Sequence, residues 1–450
     1  MATYNSGQLK HSDPGAVIDS TVHSRRLYNF SDRVADLAPD ESPFFVYLSK
    51  VAKVPTDDPQ FRFLEDRNKI AITDRSFLVQ AAVTLSAAGS LTTVTFDTAG
   101  GASVDWLVKG MVVAIGEDDD SSAQPAHNIV RVESLTDSGA YTTAVVRTIS
   151  KAGAADAELA IDNNTKCMVV GTSFEEGSGS PDVWSQELDN DYGYTQIFKT
   201  ACELTNTARA TRYRGYADEW QRIWNLKLRE HKVDIERAML FGQRASIQGI
   251  QYSEGITGQI MKNSQSNAVT GGGQVSYNEG EAYFKSVTAA EWTYDDMLTD
   301  LEVIFDPARG GNSSKLALCS LPVISHFNKM GDGGFIDKSL NYSSSPSRYM
   351  IERAKGSFGH QVTKVDTIHG DITMVKEPLF RSLASGFMCL VDLDHVSYRP
   401  LVGNGINRDT HIITNVQSDD EDLRKDMILT EAGLEVSLPE THALFNLEGV

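Results

Sequence analysis

The sequence predicts an α+β protein carrying an inserted all-β unit, and three observations lead to that class. Runs of β-branched residues follow one another from Phe77 to about Val170. A helical period without Gly or Pro then runs from Tyr216 to Phe241. Beyond it, helix and strand signals alternate, which is how a layered α+β domain reads. The 450 residues are 41% hydrophobic and 23% charged, enough for two or three domains with cores of their own.

Residues from Met1 to about Asp40 are polar and broken by Pro14, Gly15 and Pro39. Such a stretch cannot bury enough apolar area to fold alone, so it is expected to be an extended arm held by a neighbour. Ser42-Pro43-Phe44-Phe45-Val46-Tyr47-Leu48 supplies an apolar anchor, with Pro43 suited to a helix's first turn.

The β-rich stretch contains Val83-Thr84-Leu85, Thr93–Phe96, Met111–Ile115, Ile129–Val132 and Ala144–Val146. Clusters such as Thr98-Ala99-Gly100-Gly101 and Thr136-Asp137-Ser138-Gly139 separate them, predicting a small barrel or sandwich. From Ser76 to Asn190 there are 16 acidic residues against 5 basic, a net −11 that predicts a solvated, surface-facing unit.

In the helical stretch, Trp220, Trp224, Leu228, Ile235 and Met239 make an apolar stripe, with Ile223 and Ala238 beside it. Arg222, Lys227, Arg229, Lys232, Glu236 and Arg237 are assigned to the opposite, solvent face, and Asp218 to an i,i+4 pair with Arg222. Gly242 is assigned the C′ stop. At 1.5 Å per residue such a helix is about 40 Å long. Gly255 to Gly280, with Gly271-Gly272-Gly273, reads as a loop. Thr293 with Asp296 approximates a capping box for a helix through Ile304. Lys315–Cys319 reads as a buried strand and Leu321–Phe327 as the opening of a helix. Gln361–Val365, Ile372–Val375, Phe387–Val391, His395–Tyr398 and Leu434–Leu438 read as strands of a mostly antiparallel sheet.

The net charge of −20 and pI near 4.9 exclude a protein that coats nucleic acid by neutralising phosphates. No phosphate-cradling P-loop, G-x-S-x-G or H-E-x-x-H motif is present. Gly403-Asn404-Gly405 lacks the third glycine of a dinucleotide fingerprint and reads as a turn. Glu117-Asp118-Asp119-Asp120 lacks the ligand alternation and central Gly of a calcium loop, and Asp419–Asp422 reads as a solvated loop. Ten histidines are dispersed, and Cys167, Cys202, Cys319 and Cys389 form no C-x-x-C pair, so they are expected to be buried free thiols. No catalytic, cofactor-binding or metal residue is therefore assigned, and no cofactor is expected. The first residues, Met1 to Asn5, show no signal peptide and no uncharged run reads as a membrane span, which predicts assembly in the cytoplasm.

Ser42-Pro43-Phe44 followed by Leu48-Ser49-Lys50 resembles the "SP(F/L)…L" run into the extended loop of one phage-capsid subfamily. Glu175–Ser178, then Tyr194–Lys199, resembles that loop's return strand. Lys227 through Glu236–Gly242 resembles a spine-helix pattern ending in "E-x-A-L-x-G". Gly370-Asp371-Ile372 to Pro378-Leu379-Phe380, followed by Val391-Asp392, resembles axial-domain strands. In this order, from about Ser42 to the end, the chain resembles tailed-bacteriophage major capsid proteins of the Hong Kong 97-type fold.

The resemblance implies an arm over residues 1–50 and an extended loop over 51–76 and 172–200. The β-rich domain over 77–171 is then an insertion into that loop. A peripheral domain follows over 201–285 with its spine helix at 216–241, then an axial domain over 286–450 with returning peripheral strands. It also implies a non-enzymatic subunit that self-associates as hexamers and pentamers into an icosahedral virion shell. That shell encloses DNA without sequence-specific binding and without a membrane. Scaffolding, portal and decoration proteins are the further partners implied. Two rivals stay open here. An encapsulin-like compartment shell would show cargo and no DNA, and a hydrolase or carbohydrate-binding protein would hold its ligand in the β-rich unit.

Overall fold

A computed structural model describes residues 43–51, 53–66, 76–98, 103–116, 128–150, 159–183, 187–213, 218–264, 282–336, 350–355 and 361–449. Residues 1–42 of the expected arm, Glu117–Asp120 and Gly271–Gly273 lie outside the described residues, and the arm's last residues form the helix Pro43–Val51.

Six strands close a barrel in the order Ser76–Val79, Leu91–Asp97, Thr142–Ser150, Asn128–Asp137, Met111–Ile115 and Lys166–Thr172. Alternation drives the closure, because every second residue points inward. Phe77, Phe96, Val113, Val130 and Val146 fill the interior, with the Phe77 and Phe96 rings edge to face at 4.9 Å. Irregularities at Val112/Val113, Ile129/Val130 and Val132/Ser134 supply curvature that regular strands lack.

A two-stranded ribbon, Gln60–Glu65 against Asp189–Tyr194, leads to and from the barrel. Its far side continues into Gln196–Thr205, an edge strand of a second sheet. There Leu423–Val436 is central, flanked by Gln196–Thr205 on one side and by Val396–Pro400 and His411–Ile413 on the other. Sequence reading found only the end of that 14-residue strand. Asp426, Glu431 and Glu435 interrupt its apolar run, yet each is buried and ion-paired, with Arg424, Arg408 and Arg399 respectively.

The third sheet has seven strands: Tyr283–Thr288, Ala443–Glu448, Phe387–Val391, Ser314–Cys319, Asp371–Lys376, Gln361–Asp366 and Met350–Lys355, in spatial order. Four of its pairings are antiparallel and two parallel. Helices Tyr294–Ile304 and Leu321–Ile336 accompany it. Met297, Leu301, Val323 and Phe327 of these helices pack with Ala317, Cys319, Met388 and Leu390. The alternate residues Leu316, Leu318, Cys389 and Val391 belong to a different core, shared with Phe44, Leu48, Ile235 and Met239. Burial on both faces is why Lys315–Cys319 reads as a continuous apolar run. The capping box at Thr293 and Asp296 is complete.

The long helix runs from Glu219 to Phe241, about 35 Å, with residues 214–217 outside the described set. Asp218 caps it by accepting from Trp220 N, and Arg222 pairs with Glu219. Gly242 stops it as the C-cap, in an extended conformation at φ −60°. Glycine is required there because any Cβ would strike the carbonyl oxygens of Ser253 and Ala238.

Candidate assembly surfaces

The ribbon is pinned to the core at its base. Phe61 is buried between Gly193 and Gly433, and a Cβ at either glycine would run into its ring. The Arg399 guanidinium lies 5.9 Å from the ring centroid. Glu65, also buried, accepts from Leu438 N at 2.8 Å and so supports that residue's left-handed backbone, φ +47°. On the other strand, Arg244 reaches Asp191 at 2.7 Å, lies 4.2 Å over the Tyr192 ring and pairs with Glu254. The outward residues are of another kind, Leu64 being 65% exposed.

Between barrel and ribbon the chain makes few contacts with itself. Every described residue from 170 to 190 is exposed, and Val183 is 92% so. The stretch carries Glu175, Glu176, Asp182, Glu187 and Asp189 without a single Lys or Arg. Folding normally buries a residue such as Val183; leaving it in water costs roughly 1.5–3 kcal/mol relative to burial. Such a surface is what a binding partner covers.

The long helix sits on the second sheet through a buried polar seam. His231 Nδ1 is 2.9 Å from Thr200 Oγ1, and Nε2 is 2.8 Å from Thr430 Oγ1. Burial pushes the His231 pKa down, so the imidazole is neutral and one nitrogen donates while the other accepts. At the helix's N-terminal end, Trp220 and Trp224 stack half-buried at 6.4 Å, and Arg424 lies over Trp220. Arg209, Tyr213, Trp220 and Arg424 line a cavity of about 220 Å³ there.

At the C-terminal end Glu236 departs from the sequence reading. It faces the core rather than solvent, fully buried, and its Oε1 accepts from Phe44 N at 2.8 Å and from Phe45 N at 3.4 Å. It thereby caps the first helix, Pro43–Val51, from another element. Glu377, also buried, lies beside it, and burial plus that second carboxyl push the Glu236 pKa up to about 9. Burial and a neighbouring carboxyl both favour the protonated form of Glu236. A lone Glu in an otherwise amphipathic helix carries no local signal of this; only the packing of Phe44 and Glu377 around it does.

A family model described as SU10 major capsid protein matches residues 8–448. The chain belongs to the SU10 major capsid protein family. It is a phage major capsid protein by that membership. The major capsid protein of Pseudomonas phage PaMx41 is 24% identical over 243 residues, which are 52% of this chain. The match spans about half, 51%, of that relative's length. Among solved structures, the capsid of the native GTA particle is 10% identical over 96% of this chain and 99% of its own, with TM-score 0.43. Microbacterium phage Oxtober96 is 9% identical over 95% and 98%, with TM-score 0.44.

In this SU10-family chain the segments that sequence alone screened for chemistry have structural places. Gly403-Asn404-Gly405 joins Val402–Gly403 to Ile406–Asn407 as a hairpin, with Asn404 and Gly405 at φ +53° and +78°. Asp419 and Asp420 are exposed, and Asp422 accepts from Asn206 Nδ2. Among the described residues no three His, Cys, Asp or Glu side chains gather as a metal site, and no helix is long and apolar enough to cross a membrane. The four cysteines are free and buried.

Proposed function

We propose that this capsid protein builds an icosahedral phage shell by self-association as hexamers and pentamers, with a Hong Kong 97-type subunit. The carrying observation is that every described residue from 170 to 190 is exposed, a surface that a neighbouring copy would bury. Its acidic residues suit the exposed Lys232 and Arg237 on another copy's long helix. The proposed division is an arm at 1–50, an extended loop at 51–76 and 172–200, an inserted domain at 77–171, a peripheral domain at 201–285 and an axial domain at 286–450. The subunit performs no catalysis. It assembles in the host cytoplasm with scaffolding and portal proteins, and the inserted barrel is the platform for decoration. The charge of −20 supports a shell that encloses DNA without adhering to it.

Many interfaces of order 1,000 Å² each make such a shell effectively irreversible. Electron microscopy of the expressed protein, alone and with its scaffolding partner, tests this. Closed particles are expected, and their loss when residues 173–183 are replaced by a Gly/Ser linker. A compact monomer at every concentration, with and without the partner, sinks the proposal.

A further inference from the structure

The long helix is buried at one end and only half covered at the other. Ile235 and Met239 are wholly buried, whereas Trp220, Ile223, Trp224 and Leu228, on or beside the same apolar stripe, are half-buried and belong to none of the three cores. Trp220 and Trp224 stack with their rings 18° from parallel, and Arg424 lies 4.8 Å over Trp220. Arg209 and Tyr213, both exposed, line the cavity beside them. The cavity's own carboxylates are engaged, Asp218 by Trp220 N and Glu219 by Arg222. From Ala208 to Arg229 six basic residues stand against two acidic, in a chain of net charge −20. This end of the helix is thus an apolar, cationic surface open to solvent. The run from 170 to 190 is its opposite, with acidic residues, no Lys or Arg, and Val183 92% exposed.

We propose that the Trp220–Trp224 end of the long helix receives the acidic run of a neighbouring copy, with Glu175, Glu176 and Asp182 meeting Arg209, Arg212 and Arg424 while Val183 covers the indoles. The inference rests on the shell reading and names the surface that its exposed run meets. Charge selects the occupant, because a run with five carboxylates and no cation suits a surface with six basic residues, and contact takes both apolar patches out of water. An arginine fork holds a carboxylate through two parallel bonds, and indoles beside it exclude the water and salt that weaken such pairs. Fourteen residues separate Glu175 from Asp189, up to about 50 Å of extended chain, so one run reaches this end as well as Lys232 and Arg237 nearer the other. Run and receiver are different surfaces. The contact is therefore head to tail, and a closed ring of copies satisfies every one of them.

Sedimentation of the full chain over a range of concentrations tests this. Arg209→Glu/Arg212→Glu and Glu175→Lys/Glu176→Lys are each expected to raise the concentration needed for association by about tenfold or more, since attractive pairs become repulsive. The four reversals combined are expected to return it to within about threefold of the wild type. All four residues are exposed, so the fold does not depend on them. The first variant gains negative charge and the second loses it, so a response to net charge alone would move the two in opposite directions, and that result overturns the proposal. A combined variant no better than its parents overturns it too. Val183→Ser changes no charge and is also expected to weaken association; an unchanged value counts against the proposed contact. Variants that all assemble as readily as the wild type overturn the inference and leave the shell reading standing. A wild type that stays monomeric throughout, with and without the scaffolding partner, overturns both. Retention of a labelled duplex oligonucleotide by the wild type, abolished by Arg209→Glu/Arg212→Glu, would give the surface to nucleic acid and overturn the inference as well.

Discussion

Phe61→Ala separates the ribbon's anchorage from the stability of the core. The ring is buried at the ribbon's base, enclosed by Gly193, Gly433 and the Arg399 guanidinium. A buried Phe removes about 200 Å² from water, and truncation to Ala forfeits roughly two-thirds of that. At about 25 cal/mol per Å² the transfer loss is about 3 kcal/mol, and the cavity left by the rigid glycine walls adds to it. Phe61 belongs to none of the three core clusters, so the loss falls on local opening of the ribbon, not on global unfolding. A loss of about 3 kcal/mol raises the opening constant by about two orders of magnitude. Native-state hydrogen exchange over residues 60–65 and 189–194 measures it, alongside the main urea transition. A rise below tenfold in ribbon exchange, or a main transition that falls by the full 3 kcal/mol, would refute the reasoning.

Three further predictions concern the interior. Asp300 accepts from Tyr283 Oη, Lys285 Nζ and Trp292 Nε1 at 2.7–2.8 Å, so Asp300→Ala strands two buried donors and the half-buried Lys285 ammonium and is expected to cost about 3–5 kcal/mol by urea denaturation; a cost under 1 kcal/mol contradicts it. Burial holds the His442 pKa down at about 3, so the unfolded chain binds a proton that the folded chain refuses once the pH falls below the ordinary 6.5. Stability is then lost between pH 6.5 and 3, and His442→Asn, which keeps an acceptor for Asp392 N, is expected to flatten that loss by up to tenfold in the unfolding constant per pH unit; an unchanged acid slope counts against it. Burial raises the thiol pKa of Cys167, Cys202, Cys319 and Cys389, so a thiol reagent at pH 8 is expected to modify none in the folded protein and all four in urea; rapid labelling of one in the folded state would show that its burial is wrong.

What could be read from sequence was whatever local chemistry decides. All the β-branched runs but Val83–Leu85, which pairs with Leu159–Ile161, became barrel strands because alternation suits only a sheet with one buried face. Thr293 and Asp296 announced a helix start because the cap is made between residues three apart. Asn404-Gly405 was legible as a turn because few residues take its backbone conformation. The strands Tyr283–Thr288 and Ala443–Glu448 passed unread. They pair in parallel across some 160 positions of sequence, and neither carries a distinctive local pattern.

Sequence by itself determined the element types, the acidic charge and the order of segments that resembles phage capsid subunits, since periodicity, side-chain charge and chain order survive without a fold. Tertiary structure alone decided that Glu236 turns inward to cap the first helix, that Gly242 is required by a carbonyl contact and not by its own φ, and that buried Asp426, Glu431 and Glu435 lie within a strand. For Glu236, Glu431 and Glu435 the deciding partner is distant in sequence, and a buried charge is tolerated only where such a partner meets it.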